Sequence, residues 1–242
     1  MTVVLVARPP TPDAVPPDLA AGAPLDAETL ADGLAAACRD TARAVADSSD
    51  DLLVNHPPAD AVDGDDPAAA LRDLLDDVAP DARYEVQVGS THSAVVGNAV
   101  SHLLREEGQG SALVLRPDCP LLTRSRVDQA LVRLRRDDVV LAPGGAGRVA
   151  LAGFGATIDF ADAYDPPALR TLAERAAGAD RTLGFLDATV PVRAADDLAA
   201  VLTEADARRA AGRDVASDTT AWAQEVGLRV VGDGDGIGLE VE

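Results

Sequence analysis

One carboxylate stands out by its setting. Asp118 lies within Ser111 to Thr123, SALVLRPDCPLLT. Ahead of it, Ala112-Leu113-Val114-Leu115 is an apolar run without alternation, the pattern of a strand buried on both faces. Pro117 and Pro120 lack the N–H that a sheet requires, so the strand ends there. Asp118 is therefore predicted just past the carboxyl end of a central parallel strand, where open α/β sheets bind ligands. The plainer alternative is a turn aspartate, since Asp is a frequent turn former.

Other candidates carry less. Gly144-Gly145-Ala146-Gly147 could expose backbone N–H groups to a phosphate. It opens no helix and has neither a Walker lysine nor a dinucleotide fingerprint, so a simple turn is the better reading. His92 and His102 fall on one predicted helix, ten residues apart and on different faces, which gives no joint metal site. His92, in the first helical turn, is either a hydrogen-bonding group for a ligand or solvent-exposed. Cys38 reads as core. Cys119 follows a carboxylate, which raises a thiol pKa rather than activating it. No serine sits in a nucleophile elbow. The paired acids Asp50-Asp51, Asp65-Asp66 and Asp76-Asp77 read as solvated surface.

The elements that must position these residues alternate. Strands are predicted at Thr2–Ala7, Leu52–Asn55, Tyr84–Val88, Ala112–Leu115, Val139–Ala142 and Val149–Phe154, with a short one in Gly184–Val192. Helices are predicted from Asp26 to about Ala46, over Ala68–Val78, from a Ser90/Thr91 cap to Gly108, over Ser125–Arg136, from Pro166 or Pro167 through Ala176, over Ala195–Ala210 and over Thr219–Val226. Arg8–Pro24, rich in Pro and Asp, is predicted as a loop that cannot be helix. His56–Asp66 and Asp159–Pro167 read as loops, and Leu228–Val231 with Ile237–Val241 as a hairpin. Such alternation predicts a three-layer α/β/α sandwich with a mostly parallel sheet. Residues 1–211 form the expected main domain, and 212–242 a helix and hairpin packed on it.

Composition narrows the partners. The chain has 242 residues, a net charge of −20 and no lysine, all 21 basic residues being arginine. A surface this acidic repels nucleic acid and anionic membranes. It resembles the acidic, Ala- and Asp-rich proteins of salt-loving organisms, where molar salt screens the self-repulsion. The alternative is the composition bias of a high-GC mesophile. Two cysteines form neither a metal spacing nor a disulfide framework. No apolar run is long enough to span a membrane, and residues 1–7 are too short for a signal peptide, so a soluble, cytoplasmic protein is expected.

With these residues in view, the chain resembles the glycosyltransferase-A-like nucleotidyltransferase superfamily, over roughly Thr2 to Leu202. Its nearest look-alikes are an uncharacterised bacterial and archaeal glycosyltransferase-like family and the guanylyltransferases acting on phospholactate and molybdopterin. PDCPLLT, Pro117–Thr123, is similar to the superfamily's Ser-Asp-x-Pro-x-Leu-Thr. VVLAP, Val139–Pro143, followed by Leu151-Ala152-Gly153, is similar to its Val-Leu-Gly-Pro, Gly-rich turn and Leu-Ile-Gly. AADDL, Ala194–Leu198, is similar to its Thr-x-Glu-Asp-Leu. The first strand and its Pro-rich loop resemble the superfamily's entry segment.

The resemblance implies a nucleotide-diphospho-sugar transferase-like fold, with a nucleotide or nucleotide-sugar at the sheet's carboxyl ends. It also implies Mg²⁺ between two carboxylates. The chain departs from that pattern. Pro16-Pro17-Asp18-Leu19 stands where the superfamily has Lys-Thr-Arg-Leu. Ala146, Gly147 and Arg148 stand where it begins Asp-Gly-Gly, and Pro191-Val192-Arg193 where it has Asp-Ile-Asp. Asp118 is then left to orient metal or ribose, with Arg8, Arg148, Arg193, Gly145 and Gly147 toward the diphosphate. No tightly bound metal is expected, and Mg²⁺ only with a nucleotide. Asp118 could instead pair with Arg193 or Arg116, or Asp187, Asp196 or Asp197 could supply the missing carboxylate. A catalytically silent relative, serving as a binding or assembly subunit, is the alternative to a transferase.

Overall fold

The computed structural model describes residues 1–48, 51–62, 66–234 and 236–242. Asp50 and Asp65, members of two of the acidic pairs, lie outside these residues. Seven strands form one sheet: β1 (Thr2–Val6), β2 (Asp51–His56), β3 (Arg83–Val86), β4 (Ala112–Leu115), β5 (Val139–Pro143), β6 (Val149–Phe154) and β7 (Leu183–Phe185). Their order is β3-β2-β1-β4-β6-β5-β7. β4 is central, as the apolar run predicts. It is parallel to β1, with Thr2 opposite Ala112 and Leu5 opposite Leu115. β6 alone runs against its neighbours β4 and β5, because the short turn after β5 returns the chain directly.

Helices α2 (Ala27–Ala46), α3 (Pro67–Leu75) and α5 (Arg124–Arg133) cover one face, and α4 (His92–Arg105) and α6 (Ala168–Gly178) the other. The period-two pleat sorts the strand side chains between two cores. Val3, Leu5, Leu52, Val54, Leu113 and Leu115 meet Cys38, Val45, Leu71 and Leu131. Val4, Leu53, Ala112 and Val114 meet Val96, Val100, Leu103 and Leu172. Each fully buried Val or Leu contributes about 1.5–3 kcal/mol, so two all-apolar faces fix the register. This is the three-layer α/β/α architecture expected from the sequence.

One expectation fails. Arg8–Pro24 is not helix-free, because Pro12–Ala14 makes a 3₁₀ turn and Pro17–Gly22 forms α1. Pro17 occupies the first helical position, where the missing N–H would have had no partner anyway. Leu19, 1% exposed, gives α1 its packing.

A third core joins α1, α2 and α7 (Ala195–Ala210) to α8 (Ser217–Glu225) and the hairpin β8 (Leu228–Asp233) and β9 (Gly236–Val241). Gly33 admits Trp222 here, for a Cβ at Gly33 would stand 2.6 Å from the indole ring. Asp40 ties α8 to α2. Its carboxylate is buried and accepts from the N–H groups of Asp218 and Thr219 and from the Thr219 hydroxyl. Burial pushes its pKa up, against those hydrogen bonds.

Candidate functional site

β4 delivers its last residues to a cleft of about 420 Å³ at the carboxyl end of the sheet. Its wall includes Arg8, Cys38, His92, Arg116, Asp118, Tyr164 and Arg193. A hollow of about 490 Å³ lies between α5 and Phe185–Asp187, walled by surface side chains such as Gln129, Arg133 and Arg136. Only the first gathers buried polar groups around a strand end.

Backbone contacts fix the Asp118 turn on both sides. The Arg116 N–H donates to Ala150 O at 3.2 Å, and the Val192 N–H donates to Asp118 O at 2.8 Å. Thr41, buried on α2, accepts from the Cys119 N–H at 3.2 Å while its hydroxyl meets Ala37 O and Pro117 O. A strand from one half of the sheet, a helix and the segment before α7 thus hold one short stretch.

Asp118 is 5% exposed and belongs to an arginine cluster. Arg116 donates through Nε at 3.0 Å and through Nη2 at 2.8 Å to its two oxygens. Arg193 reaches the same carboxylate at 3.4 Å. Burial works against the Arg116 charge, but Asp118 more than offsets it and lifts its pKa above the usual arginine value. Arg193 is less compensated. Desolvation and then repulsion from Arg116 push its pKa down, against the attraction of Asp118.

Arg148 does not line this cleft. Its guanidinium donates to Asp197 at 2.8 Å. The other Asp197 oxygen accepts from the N–H groups of Arg193 and Ala194, which closes the first turn of α7. Asp197 is therefore engaged rather than free to replace a metal ligand. Gly145, Ala146 and Gly147 all have positive φ, at 74°, 47° and 73°, and make a tight turn from β5 to β6. That turn packs on the start of α6, where Gly147 O accepts from the Leu169 N–H and a Cβ at Gly147 would lie 3.0 Å from Pro167. Neither Gly145 nor Gly147 is in the cleft wall. Of the residues expected around a phosphate or metal, the structure brings together Arg8, Asp118 and Arg193.

His92 and Tyr164 complete the wall. Thr91 caps α4 by accepting from the Ala94 N–H at 3.1 Å, which sets His92 at the helix start. One turn apart on α4, Ser93 and Gly97 receive the loop after β6. Ser93 Oγ accepts from the Tyr164 N–H at 2.9 Å, and a Cβ at Gly97 would stand 2.8 Å from Phe160. The Tyr164 ring then meets His92 edge-on, 4.9 Å between centroids. Its hydroxyl is buried without a partner among the described residues, and burial raises its pKa. Cys38 is buried beside the cleft, and burial with Asp118 pushes its thiol up to about 12, the opposite of what activates a nucleophilic cysteine. Cys119 is raised as well, by burial and then by Asp118.

His92 is exposed at the cleft mouth, but crowding by its neighbours and then Arg116 push its pKa down to about 4, against the pull of Asp118. Between that value and the ordinary 6.5 the unfolded chain binds this proton more readily than the folded one. Stability from His92 is thus present above 6.5 and lost as pH falls through the window. We expect His92→Gln to flatten that loss, read by urea unfolding at about pH 7 and about pH 5. Equal losses in variant and wild type would show that His92 is not the titrating group.

The residues present do not fit a divalent ion between two carboxylates. Asp118 is held by two guanidiniums, and the second position is Arg193 itself. At an effective dielectric of 20, like unit charges 4 Å apart repel by about 4 kcal/mol, and a divalent ion doubles that. What the arrangement offers instead is positive charge around one buried carboxylate.

Comparison with known proteins agrees on the fold. Residues 53–161 match the DUF2064 family, described as "Uncharacterized protein conserved in bacteria". A "putative nucleotide-diphospho-sugar transferase" from Desulfovibrio desulfuricans G20 is similar in structure, with a TM-score of 0.76 and 19% identity over 93% of this chain and 94% of that one. A 4-diphosphocytidyl-2C-methyl-D-erythritol synthase from Anaerococcus prevotii DSM 20548 gives a TM-score of 0.51 and 9% identity over 92% and 95%. No curated protein matches the sequence. The fold is thus nucleotide-diphospho-sugar transferase-like, as the sequence resemblance implied. Among the described residues, no helix is long and apolar enough to cross a membrane.

Proposed function

We propose that this chain binds a nucleotide or nucleotide-sugar in the Asp118 cleft, and that arginine rather than a metal ion neutralises its phosphates. One observation carries the reading: in a chain of net charge −20, Arg8, Arg116 and Arg193 converge on a cleft whose wall holds a single carboxylate, Asp118. Guanidinium forks match phosphate oxygens in geometry and charge. A volume of about 420 Å³ falls in the range of small-molecule sites. The Tyr164 ring adds apolar surface to the same wall, suited to the remainder of the ligand. The fold shared with a protein described as a "putative nucleotide-diphospho-sugar transferase" and with a 4-diphosphocytidyl-2C-methyl-D-erythritol synthase supports the ligand class by analogy.

Whether a group is then transferred is a separate question. The engagement of Asp118 by two arginines favours a second reading, a catalytically silent relative that binds such a ligand or assembles with a partner.

The test is thermal unfolding of the full chain with CTP, GTP and UDP-glucose, each with and without Mg²⁺. A ligand that binds only the native state raises the melting temperature. We expect one class to do so equally in both arms. A shift that needs Mg²⁺ would overturn the arginine reading, and no shift at millimolar ligand would overturn nucleotide binding. Product formation with the binding nucleotide separates transferase from silent relative.

A further inference from the structure

A second cluster lies at the opposite end of α4. Glu85, His102 and Glu107 place one ligand atom each within 4.8 Å of one another. Glu85 sits on the edge strand β3. His102 lies in the last turn of α4, and the chain turns sharply just beyond it. The N–H of Glu107 donates to His102 O at 3.1 Å, that of Gln109 donates to Leu103 O at 2.9 Å, and Gly108 takes a φ of 66°. This helix ending folds Glu107 back beside His102.

We infer that Glu85, His102 and Glu107 form a binding site for a divalent transition cation of the Zn²⁺ type, clamping β3 to α4. His102 Nε2 and Glu107 Oε1 are 3.4 Å apart. Two ligand atoms on one tetrahedral Zn²⁺ stand about 3.3 Å apart, so this edge of the polyhedron already has its length. The other ring nitrogen is occupied. His102 Nδ1 faces Glu106 Oε2 at 3.1 Å, the carboxylate–imidazole arrangement that orients metal-bound histidines. That leaves Nε2 turned toward Glu107.

Charge favours a cation as well. Glu85, Glu106 and Glu107 carry three negative charges there, and among the described residues Arg83 alone pairs with them, which leaves a formal −2 with neutral imidazole. Arg83 Nη2 donates to both Glu107 oxygens, at 3.3 and 3.4 Å, and stands 3.7 Å from Glu85, so the arriving ion must displace this one guanidinium. Its side chain is 44% exposed and can swing into water as the ion enters. An imidazole with two carboxylates suits Zn²⁺ better than the oxygen-seeking Mg²⁺ or Ca²⁺. Three protein ligands leave a position for water, so the ion is exchangeable. The clamp would stiffen an edge that exposes Val86 and Val88.

The experiment is calorimetric titration of the untagged, EDTA-treated full chain with ZnCl₂, alongside its melting temperature. We expect about one equivalent to bind and the melting temperature to rise. His102→Ala and Glu107→Gln should each abolish both effects while melting like wild type in EDTA. Glu106→Gln should weaken binding by about tenfold. Arg83→Gln should tighten it, because the competing guanidinium is gone. Zn²⁺ uptake that survives His102→Ala, or the absence of uptake by the wild type, would overturn the site.

Discussion

Asp118→Ala is expected to lower folding stability by about 3–5 kcal/mol, the cost of leaving a buried ionic group without its partner. The group left behind is Arg116. Its guanidinium, 24% exposed, makes two short hydrogen bonds to this carboxylate, and without it would face the Arg193 charge in the same cleft. Asp118→Asn keeps the shape and one acceptor, so its loss should be smaller. Ligand binding should move the other way. If the carboxylate serves to hold two arginines, a neutral amide in its place raises the cleft's positive charge, and phosphate affinity in the folded Asp118→Asn protein holds or improves. If Asp118 were a metal ligand, that same change would remove binding. Urea unfolding and calorimetry read the two effects separately. An Asp118→Ala loss below about 1 kcal/mol, the range of exposed ion pairs, would mean that the cluster is solvated and unimportant. Loss of binding in well-folded Asp118→Asn would return Asp118 to metal or ribose chemistry.

The fold was legible because its signal is local and redundant. Ala112–Leu115 and Val3–Val6 are continuous apolar runs, the pattern of strands in the middle of a sheet with helices on both faces. The sequence could not show that β6 slips between β4 and β5 in the reverse direction, because strand order depends on which faces meet in space. α1 was hidden for a different reason. Pro16-Pro17 signals a helix breaker, but proline at a helix start costs nothing that water or a cap would otherwise have to satisfy.

The site was legible only where a residue ends a strand. Asp118 could be found because Pro117 and Pro120 mark the end of β4. Arg193 has no local marker of its own and stands out only against the superfamily's Asp-Ile-Asp. Tyr164 had no such marker, since it lies in a polar loop and enters the cleft only because Ser93 and Gly97 receive that loop. Arg148 and Arg193 were expected to face one diphosphate, but Asp197 intervenes by pairing with the first and capping the backbone of the second. The group at Glu85, His102 and Glu107 joins a strand to a helix end, and no spacing in the sequence brings residue 85 to residue 102.

Arg193→Ala should weaken nucleotide or nucleotide-sugar binding by about 10–100-fold while changing folding stability far less than Asp118→Ala does. The magnitude follows from losing charge-assisted hydrogen bonds to phosphate, about 1.5–3 kcal/mol. Arg193 is singled out because its charge is the least satisfied of the cleft's guanidiniums. Arg116 is already committed to Asp118 by two bonds, and Arg8 pairs with Asp13 at 2.7 Å. Arg193 has one contact, at 3.4 Å, while desolvation and Arg116 bear against its charge. An arriving phosphate relieves that cost, so the gain on binding is largest there. Arg193→Lys keeps the charge but loses the planar fork, and should retain an intermediate affinity. Added KCl should weaken the wild type more than Arg193→Ala, since one fewer exposed charge is left to screen. Both comparisons are made by calorimetry with EDTA present. Equal affinities for wild type and Arg193→Ala, with both proteins folded, would remove Arg193 from the phosphate site and leave the cleft's positive charge as a device for holding Asp118 alone.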